Sequence, residues 1–441
     1  MKKTVILTLS CLMLVTLLFG CTLPAAAANK VINVWSFTDE VPRMVNRYKE
    51  MHPDFAYDFN VTIIATTEGA YQPALDMALL GGGPKAPDIY TAESAFVLKY
   101  TKGDAAHLAA AYKDLGIDVD GLLSASQIAP YASDIGTRTS DGQLVGLPYQ
   151  ATGGAFIYRR SIAKDTWGTD DPAAIKDKIG PGWDKFMQAA AELKAKGYAI
   201  VSGSEDVWHP LEDNSEKGWI VDGKLHIDPG REIFYDIVRE LKDKGYMNDT
   251  RSWFDPWFAD MKDAGPQKVF GYFGPAWLIN YVIANNCGDT FGDWAICEPT
   301  TGFSWGGTWL MANKSGNPEV RDAVAEILKW ITLDASNDGL MYHWANGTLE
   351  GPNGTKDTVA SGVVMAKSDG KLDFLGGQDM FDVFVPAGAN ATGKYKTQYD
   401  ETINLIWHDQ VRMFTAGEKT REQAIADFKQ TVADNLGIDV E

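Results

Sequence analysis

Val31-Ile32-Asn33-Val34-Trp35-Ser36-Phe37-Thr38-Asp39-Glu40 decides the fold. Val31 to Phe37 reads as a strand, and Thr38-Asp39-Glu40 is suited to cap a helix from Val41 to His52, with Pro42 in its first turn. Tyr57 to Thr66 is rich in aromatic and β-branched residues and reads as a second strand. Tyr71 to Leu80 reads as a helix closed by Gly81-Gly82-Gly83-Pro84. Asp88 to Thr91 is a third, short strand. This β-α-β-α-β order predicts an α/β fold with a mostly parallel, doubly wound sheet. Ligands of such sheets sit at the carboxyl ends of the strands. Trp35 to Glu40, Thr67 to Tyr71 and Thr91 to Phe96 fall at those ends.

Outward from there, Leu144 to Tyr149 is extended and leads through Gln150-Ala151-Thr152-Gly153-Gly154 into a strand, Ala155 to Tyr158. This is read as a first crossing between two lobes. Helices are predicted at Trp183 to Lys196 and Arg231 to Lys244, with a strand at Val269 to Phe273. A second crossing falls at Gly302 to Trp309, and helices follow at Glu319 to Thr332, Tyr399 to Phe414 and Arg421 to Leu436. A chain of 441 residues is too long for one core and points to two domains.

Trp305-Gly306-Gly307-Thr308-Trp309 is the strongest local signal of function. Glycine admits a backbone or ligand closely, and tryptophan offers a flat apolar face with one N–H donor. The segment reads as a wall for a flat, hydroxylated ligand such as a sugar ring, or as a turn carrying two core tryptophans. Fourteen tryptophans are present, and many stand beside Gly, Pro, Asp or His: Trp35, Trp208, Trp253, Trp257, Trp277, Trp294, Trp305, Trp309 and Trp344. A pyranose offers apolar C–H faces to indoles and hydroxyls to carboxylates and amides.

The polar candidates each have a plainer alternative. Asp39 and Glu40 are ligand acids or acids that favour a helix N-terminus. Glu68, Glu93 and Gln150 lie at strand ends or at the crossing. His209 is a ligand contact or a packed loop histidine. Asp379 reaches the cleft or forms a turn.

The chain begins with an export signal. Lys2 and Lys3 precede an apolar run from Val5 to Phe19, too short for a comfortable membrane span. Leu18-Phe19-Gly20-Cys21 is similar to a lipobox, in which Cys21 is lipidated. Phe19 departs from that pattern, and cleavage within Ala25 to Ala28 is the alternative. Cys287 and Cys297 flank a Gly-rich loop, and outside the cytoplasm they are expected to form a disulfide, with two free thiols as the alternative. A net charge of −19 argues against nucleic acid and anionic lipid as partners and is compatible with a cationic ligand. The six histidines are scattered without an H-x-x-x-H pair, and no metal site is expected. Asp118-Val119-Asp120-Gly121 lacks the remaining ligands of a calcium loop.

Five marks in this order resemble bacterial extracellular solute-binding proteins of ABC importers, family 1, the group that includes the maltose-binding protein. They are Asn33 to Phe37, Ala86-Pro87-Asp88-Ile89-Tyr90, Val145-Gly146-Leu147-Pro148-Tyr149, Phe273-Gly274-Pro275-Ala276-Trp277, and Trp305 to Trp309 followed by Asn313-Lys314. The resemblance covers essentially the whole mature chain. It implies two α/β lobes joined by a hinge, a type II periplasmic-binding-protein-like fold. The lobes would be 21–148 plus 305–348 and 149–304 plus 349–441, behind a signal peptide 1–20. It further implies capture of an oligosaccharide between the lobes and delivery to a membrane permease. The expected protein is a non-enzymatic, cofactor-free monomer, lipid-anchored outside the cytoplasmic membrane of a Gram-positive cell or in a Gram-negative periplasm. Ligand contacts would come from Trp35, Asp39, Glu40, Glu68, Glu93, Gln150, Trp208, His209, Trp257, Trp277, Trp305, Trp309 and Asp379.

Two rivals stand beside this reading. A cationic ligand such as a polyamine would also use aromatic walls and acids. A secreted glycoside hydrolase would need two carboxyls across the scissile bond, but no H-E-x-x-H or phosphate-loop motif is found.

Overall fold

A computed structural model describes residues 30–66, 69–213, 215–351, 354–391 and 393–440. The apolar leader, Cys21 and Glu68 lie outside the described residues. In chain order the strands are β1 (Lys30–Ser36), β2 (Tyr57–Ile63), β3 (Ile89–Glu93), β4 (Gly146–Pro148), β5 (Ala155–Arg159), β6 (Val201–Gly203), β7 (Ile220–Val221), β8 (Lys224–Leu225), β9 (Met247–Thr250), β10 (Gly271–Gly274), β11 (Trp294–Cys297), β12 (Thr308–Ala312) and β13 (Asp439–Val440).

The first sheet has the order β2-β1-β3-β12-β4. β1 pairs in parallel with β2 and with β3, as the alternation of strands and helices predicts. Ile32, Asn33 and Val34 are consecutive and buried, which suits an inner strand covered on both faces. The helix Glu40–Met51 covers one face with Val41, Met44, Val45 and Tyr48. Asp39 makes no side-chain cap there; its carboxylate turns to Arg43 instead, 3.6 Å away. β12 then returns antiparallel between β3 and β4, so residues 308–312 close a sheet begun at residue 30.

The second sheet has the order β10-β5-β11, with both pairings antiparallel. Side chains of a strand alternate between faces, and here the alternation divides two cores. Ala155, Ile157, Trp294 and Ile296 join the apolar cluster of the first sheet. Phe156, Tyr158, Ala295 and Cys297 join a second cluster with Phe186, Trp219, Trp407 and Phe428. Each Val, Leu, Ile or Phe fully buried this way contributes about 1.5–3 kcal/mol. Arg159 ends β5 between Asp263 at 2.7 Å and Asp293 at 2.9 Å, so its buried charge is compensated.

This parity corrects the expected disulfide. Cys287 and Cys297 are both free and buried. Cys287 lies in the first cluster and Cys297 in the second. Cys297 shares the face of Ala295, and that face points away from Cys287. Loop spacing alone could not show which face the second cysteine would take.

Among the described residues, no helix is long and apolar enough to cross a membrane. The C-terminal helices Asp400–Thr415 and Arg421–Leu436 pack on the second cluster. The preceding segment runs from the first cluster to the second sheet: Ser361 pairs with Ile128, and the ring of Phe374 stacks on Trp294 of β11 at 5.8 Å.

Candidate functional site

Three stretches of chain meet beside β4 and β12. Gly153 pairs with Ser304, Trp305 N–H donates to Thr152 O at 3.0 Å, and Gly154 N–H donates to Phe303 O at 2.9 Å. The third stretch was not foreseen from sequence: Ala360 N–H donates to Tyr149 O at 2.8 Å, and Thr358 Oγ1 donates to Ala151 O at 2.7 Å. The glycines permit this convergence. A Cβ on Gly153 would stand 2.6 Å from the backbone N of Gly388, and one on Gly154 would stand 1.9 Å from the ring of Phe303.

Trp305 emerges from this junction and packs against both apolar clusters. Gly306 and Gly307 adopt φ of 76° and 115°, a region open to glycine. Thr152 Oγ1 donates to Gly306 O at 3.0 Å. The Trp277 indole donates to Trp305 O at 3.0 Å and meets the Trp305 ring edge-on, with centroids 4.7 Å apart. Trp253 lies parallel to Trp277 at 6.2 Å and 11°. It is half exposed and holds φ of 71°, a conformation that costs a non-glycine residue on the order of 1 kcal/mol. The backbone strain sets a bare indole at the rim.

Two adjoining cavities, of ≈ 220 Å³ and ≈ 320 Å³, share Trp305, His209, Glu401 and Asn404. The smaller is also lined by Glu93, Ser94, Glu212, Trp309, Lys396 and Asp400. The larger is lined by Glu205, Trp208, Arg251, Trp253, His408 and Arg412. His209 stacks on Trp305 at 4.5 Å and 26°.

Charges around the smaller cavity are unevenly matched. Lys396 Nζ lies 3.2 Å from Asp213 Oδ1, and Asp213 Oδ2 accepts Ser304 N–H at 2.7 Å. Burial disfavours the Lys396 ammonium, but Asp213 and Glu212 outweigh it and raise its pKa. Burial would likewise raise Glu212, yet Lys396 and His209 hold it well below the usual carboxylate range. Glu212 also accepts from Asn404 Nδ2 at 2.8 Å. Burial, with Glu93 and Glu212 nearby, pushes Glu401 up to about 7. Asp400 is pushed up to about 6, mainly by burial.

In the larger cavity Glu205 accepts from Arg412 at 3.0 Å and from Ser252 N–H at 3.1 Å. Burial lowers His408 to about 3, so it is neutral. Among the described residues, its Nε2 and the Trp208 indole N–H have no hydrogen-bond partner, and neither does Asp400 Oδ2 in the smaller cavity. These buried polar atoms are suited to a ligand that supplies donors on one side and acceptors on the other.

Of the residues expected from sequence, Glu93, Trp208, His209, Trp305 and Trp309 line these cavities, and Trp277 braces Trp305. Glu93 also accepts from Ala95 N–H at 2.8 Å, so it caps a helix. Trp309 is buried, donating to Ala132 O at 3.3 Å, and only its edge reaches the cavity. Trp257 is a core residue, its indole donating to buried Asp206 at 2.9 Å. Trp35 packs partly buried on the first cluster. Glu40 bonds to the Tyr149 hydroxyl, and Gln150 donates to Asp357 at 3.2 Å. These form a separate polar knot beside the crossing, where burial raises Glu40 and pushes Asp357 up to about 7. Asp39 is exposed. Asp379 accepts Phe381 N–H at 2.9 Å and shapes a turn.

Glu212, Lys396, Asp400, Glu401, Asn404 and Arg251 were not expected, and Trp253 stood out only as one of the loop tryptophans, not as a ligand contact. Asp400 and Glu401 read from sequence as ordinary first-turn acids of a helix. Only Trp253, beside Phe254 and Pro256, carried a local signal. Among the described residues no cluster of His, Cys, Asp and Glu could hold a metal ion.

A family model described as bacterial extracellular solute-binding protein matches residues 43–348. No curated protein matches the sequence. Among solved structures, an extracellular solute-binding protein of family 1 superposes with a TM-score of 0.73 at 18% identity, over 92% of this chain and 99% of that one. The galacto-N-biose-/lacto-N-biose I-binding protein of an ABC transporter from Bifidobacterium longum, in complex with lacto-N-biose, gives 0.69 at 16%, over 95% and 100%. The sugar-binding protein MalE from Xanthomonas citri gives 0.69 at 13%, over 92% and 97%. At such identities the structural likeness is one of fold.

Proposed function

The chain belongs to the bacterial extracellular solute-binding protein family, a non-catalytic transport component, and from that premise we propose that it captures an oligosaccharide for an ABC importer. The observation that carries this reading is the Trp305 wall: an indole braced by Trp277, continued by half-exposed Trp253, and bordered by carboxylates and amides. Indole faces take the C–H faces of a pyranose, and the polar rim takes its hydroxyls. The fold neighbours with sugars in their names support the same substrate class.

In this reading the lobes are 21–148 plus 305–348 and 149–304 plus 349–441, with residues 357–391 bridging them. The junction of residues 149–154, 302–307 and 357–360 is the hinge. Closure brings Glu93 of one lobe toward Glu212, Lys396 and Glu401 of the other, around the ligand. The closed form, a monomer held at the membrane through a lipid on Cys21, presents its cargo to the permease. Trp208, His209, Trp253, Trp305, Glu212, Glu401 and Asn404 make the principal contacts. Trp35, Asp39, Glu40, Gln150, Trp257 and Asp379 act as support.

A thermal-shift screen of the purified protein with starch, plant and host oligosaccharides, spermidine and peptides tests the reading. A bound sugar at one hundred times Kd stabilises the folded chain by about 2.7 kcal/mol. A concentration-dependent rise in Tm with an oligosaccharide, lost in Trp305→Ala, is the expected result. A rise with peptide or spermidine alone overturns it.

A further inference from the structure

Resting on the oligosaccharide reading, we propose that the sugar unit seated in the smaller cavity carries a protonated amine, so that the substrate class is a basic amino-oligosaccharide. Glu93, Glu212, Asp400 and Glu401 line that cavity with one ammonium, Lys396; Arg231 acts on Glu212 and Asp400, and Lys102 on Asp400, from outside the lining, which still leaves more carboxyls than cations. Lys396 is already committed to Asp213, a fifth carboxyl, at 3.2 Å. Glu93 is occupied by Ser94 and Ala95, and Glu212 by Asn404 and by His209 at 3.6 Å.

Two acceptors are left over. Glu401 is exposed to solvent at the mouth of both cavities and makes no hydrogen bond or ion pair among the described residues, so its charge is open to solvent rather than sealed in. Asp400 is 5% exposed; its Oδ1 takes the Thr397 hydroxyl at 2.6 Å, while its Oδ2 is buried without a partner among the described residues. A buried acceptor without a donor is costly, and an excess of carboxylates repels itself. A neutral hydroxyl would supply one donor and leave the excess charge. An ammonium supplies three donors and cancels the charge, in charge-assisted bonds. The nearby Trp305 ring adds cation–π attraction.

Chemistry across Trp305 gives the ligand a direction. The larger cavity has Arg251 and Arg412, and its unpartnered Trp208 N–H seeks an acceptor. Neutral sugar units fit there, with the amine on the Lys396 side. Burial and this crowding raise the Asp400 and Glu401 carboxyls against the opposing Arg231 charge beside Asp400, so without a cation each is partly protonated to relieve the excess charge, and an arriving ammonium would expel those protons. The groups facing Glu401 are Glu93 at the end of β3, His209 and Glu212 on the helix Trp208–Asp213, and Lys396 in the preceding loop. Asp400 and His408 lie on its own helix, and Glu205, Arg251 and Arg412 stand across the larger cavity.

Isothermal titration calorimetry near pH ~6, below the raised Glu401 value and close to that of Asp400, tests the inference. The probes are glucosamine tetramer, N-acetylglucosamine tetramer, maltotetraose and spermidine, in buffers of different ionisation heat. The expected result is glucosamine tetramer binding at least about tenfold tighter than either neutral tetramer, with protons released. Glu401→Gln, still folded by circular dichroism, should shrink that preference to within about threefold. Neutral tetramers binding as tightly as the amine form would overturn the inference and leave the oligosaccharide reading standing. Binding of spermidine alone, or of no probe, would overturn both.

Discussion

The imidazole of His209 lies on the indole of Trp305, with centroids 4.5 Å apart and planes 26° from parallel. His209 is anchored in turn by Glu212, 3.6 Å from its Nδ1. One face of Trp305 is therefore fixed by the protein, and the stack ties the acid-lined cavity to the orientation of the indole. His209→Ala removes an aromatic contact of about 0.5–1.5 kcal/mol. Affinity for the preferred oligosaccharide should fall by that amount in calorimetry, and an unchanged Kd would show that the stack does not orient Trp305.

Trp305→Ala should cost more. Its ring touches both apolar clusters and stands at the centre of the cavities. A central aromatic anchor of this kind is worth about 2 kcal/mol or more in binding. Calorimetry should show a loss of about thirtyfold or greater, against a small change for Trp35→Ala, whose ring lines neither cavity.

Gly153→Ala tests the junction. The added methyl would press on the Gly388 backbone at 2.6–2.7 Å, which no side-chain movement relieves. Overpacking of this order costs about 1–3 kcal/mol. Urea unfolding should show that loss, and a variant as stable as the parent would mean that the three stretches can separate freely.

Stability should fall between about pH 5 and 7.5. A carboxyl raised on folding stabilises fully below its unfolded value of about 4, and that contribution is lost as pH rises through its folded value. Asp206, Asp357 and Glu401 at about 7 and Asp400 at about 6 place the loss in this window. His408, lowered to about 3 by burial, opposes them, since its contribution grows as pH rises toward about 6.5. His343, also lowered, acts with it, but the four carboxyls outweigh the pair. Tm measured across the window should decrease with pH; a steady increase would contradict these protonation states.

Both thiols should be silent in the folded protein. Burial raises the pKa of Cys287 and Cys297, and reactivity follows the thiolate. A chromogenic disulfide reagent near neutral pH should find neither until denaturant is added, and then both. Reagent consumed before unfolding would show that one is accessible.

The first sheet could be read from the sequence because its signal is local. Val31 to Phe37 and Asp88 to Thr91 are apolar strands bounded by helix and turn residues, and β-α-β order leaves few topologies. The helix Arg421–Leu436 was readable for the same reason, with Thr420 and Gln423 forming its capping box. The site was less readable because its residues are local in no sense. Lys396 and Glu401 meet Glu93 only through the fold, and Asp400 has the sequence appearance of a helix-dipole acid. Trp257 and Trp309 misled in the opposite direction: each stands beside proline or glycine, yet packing claims the indole. Cys297 shows the limit most clearly, since one residue of strand parity decides which core receives the sulfur.

Among the described residues β4 has β12 as its only partner in the first sheet, and β12 is made long after it. A chain leaving the cell in linear order can therefore assemble β2, β1 and β3 early, but must hold β4 and the flank of β3 open until residues 308–312 have passed through the membrane. The second sheet, complete by Cys297, lies wholly between these events. Export thus imposes a schedule: the inserted sheet can pair first, the starting sheet is sealed afterwards by the strand that follows Trp305, and the core behind the inserted sheet is completed last by the C-terminal helices. Because Trp305 immediately precedes that sealing strand, the wall of the cavity is among the last surfaces to form, and an unfinished chain offers its cargo nowhere to bind.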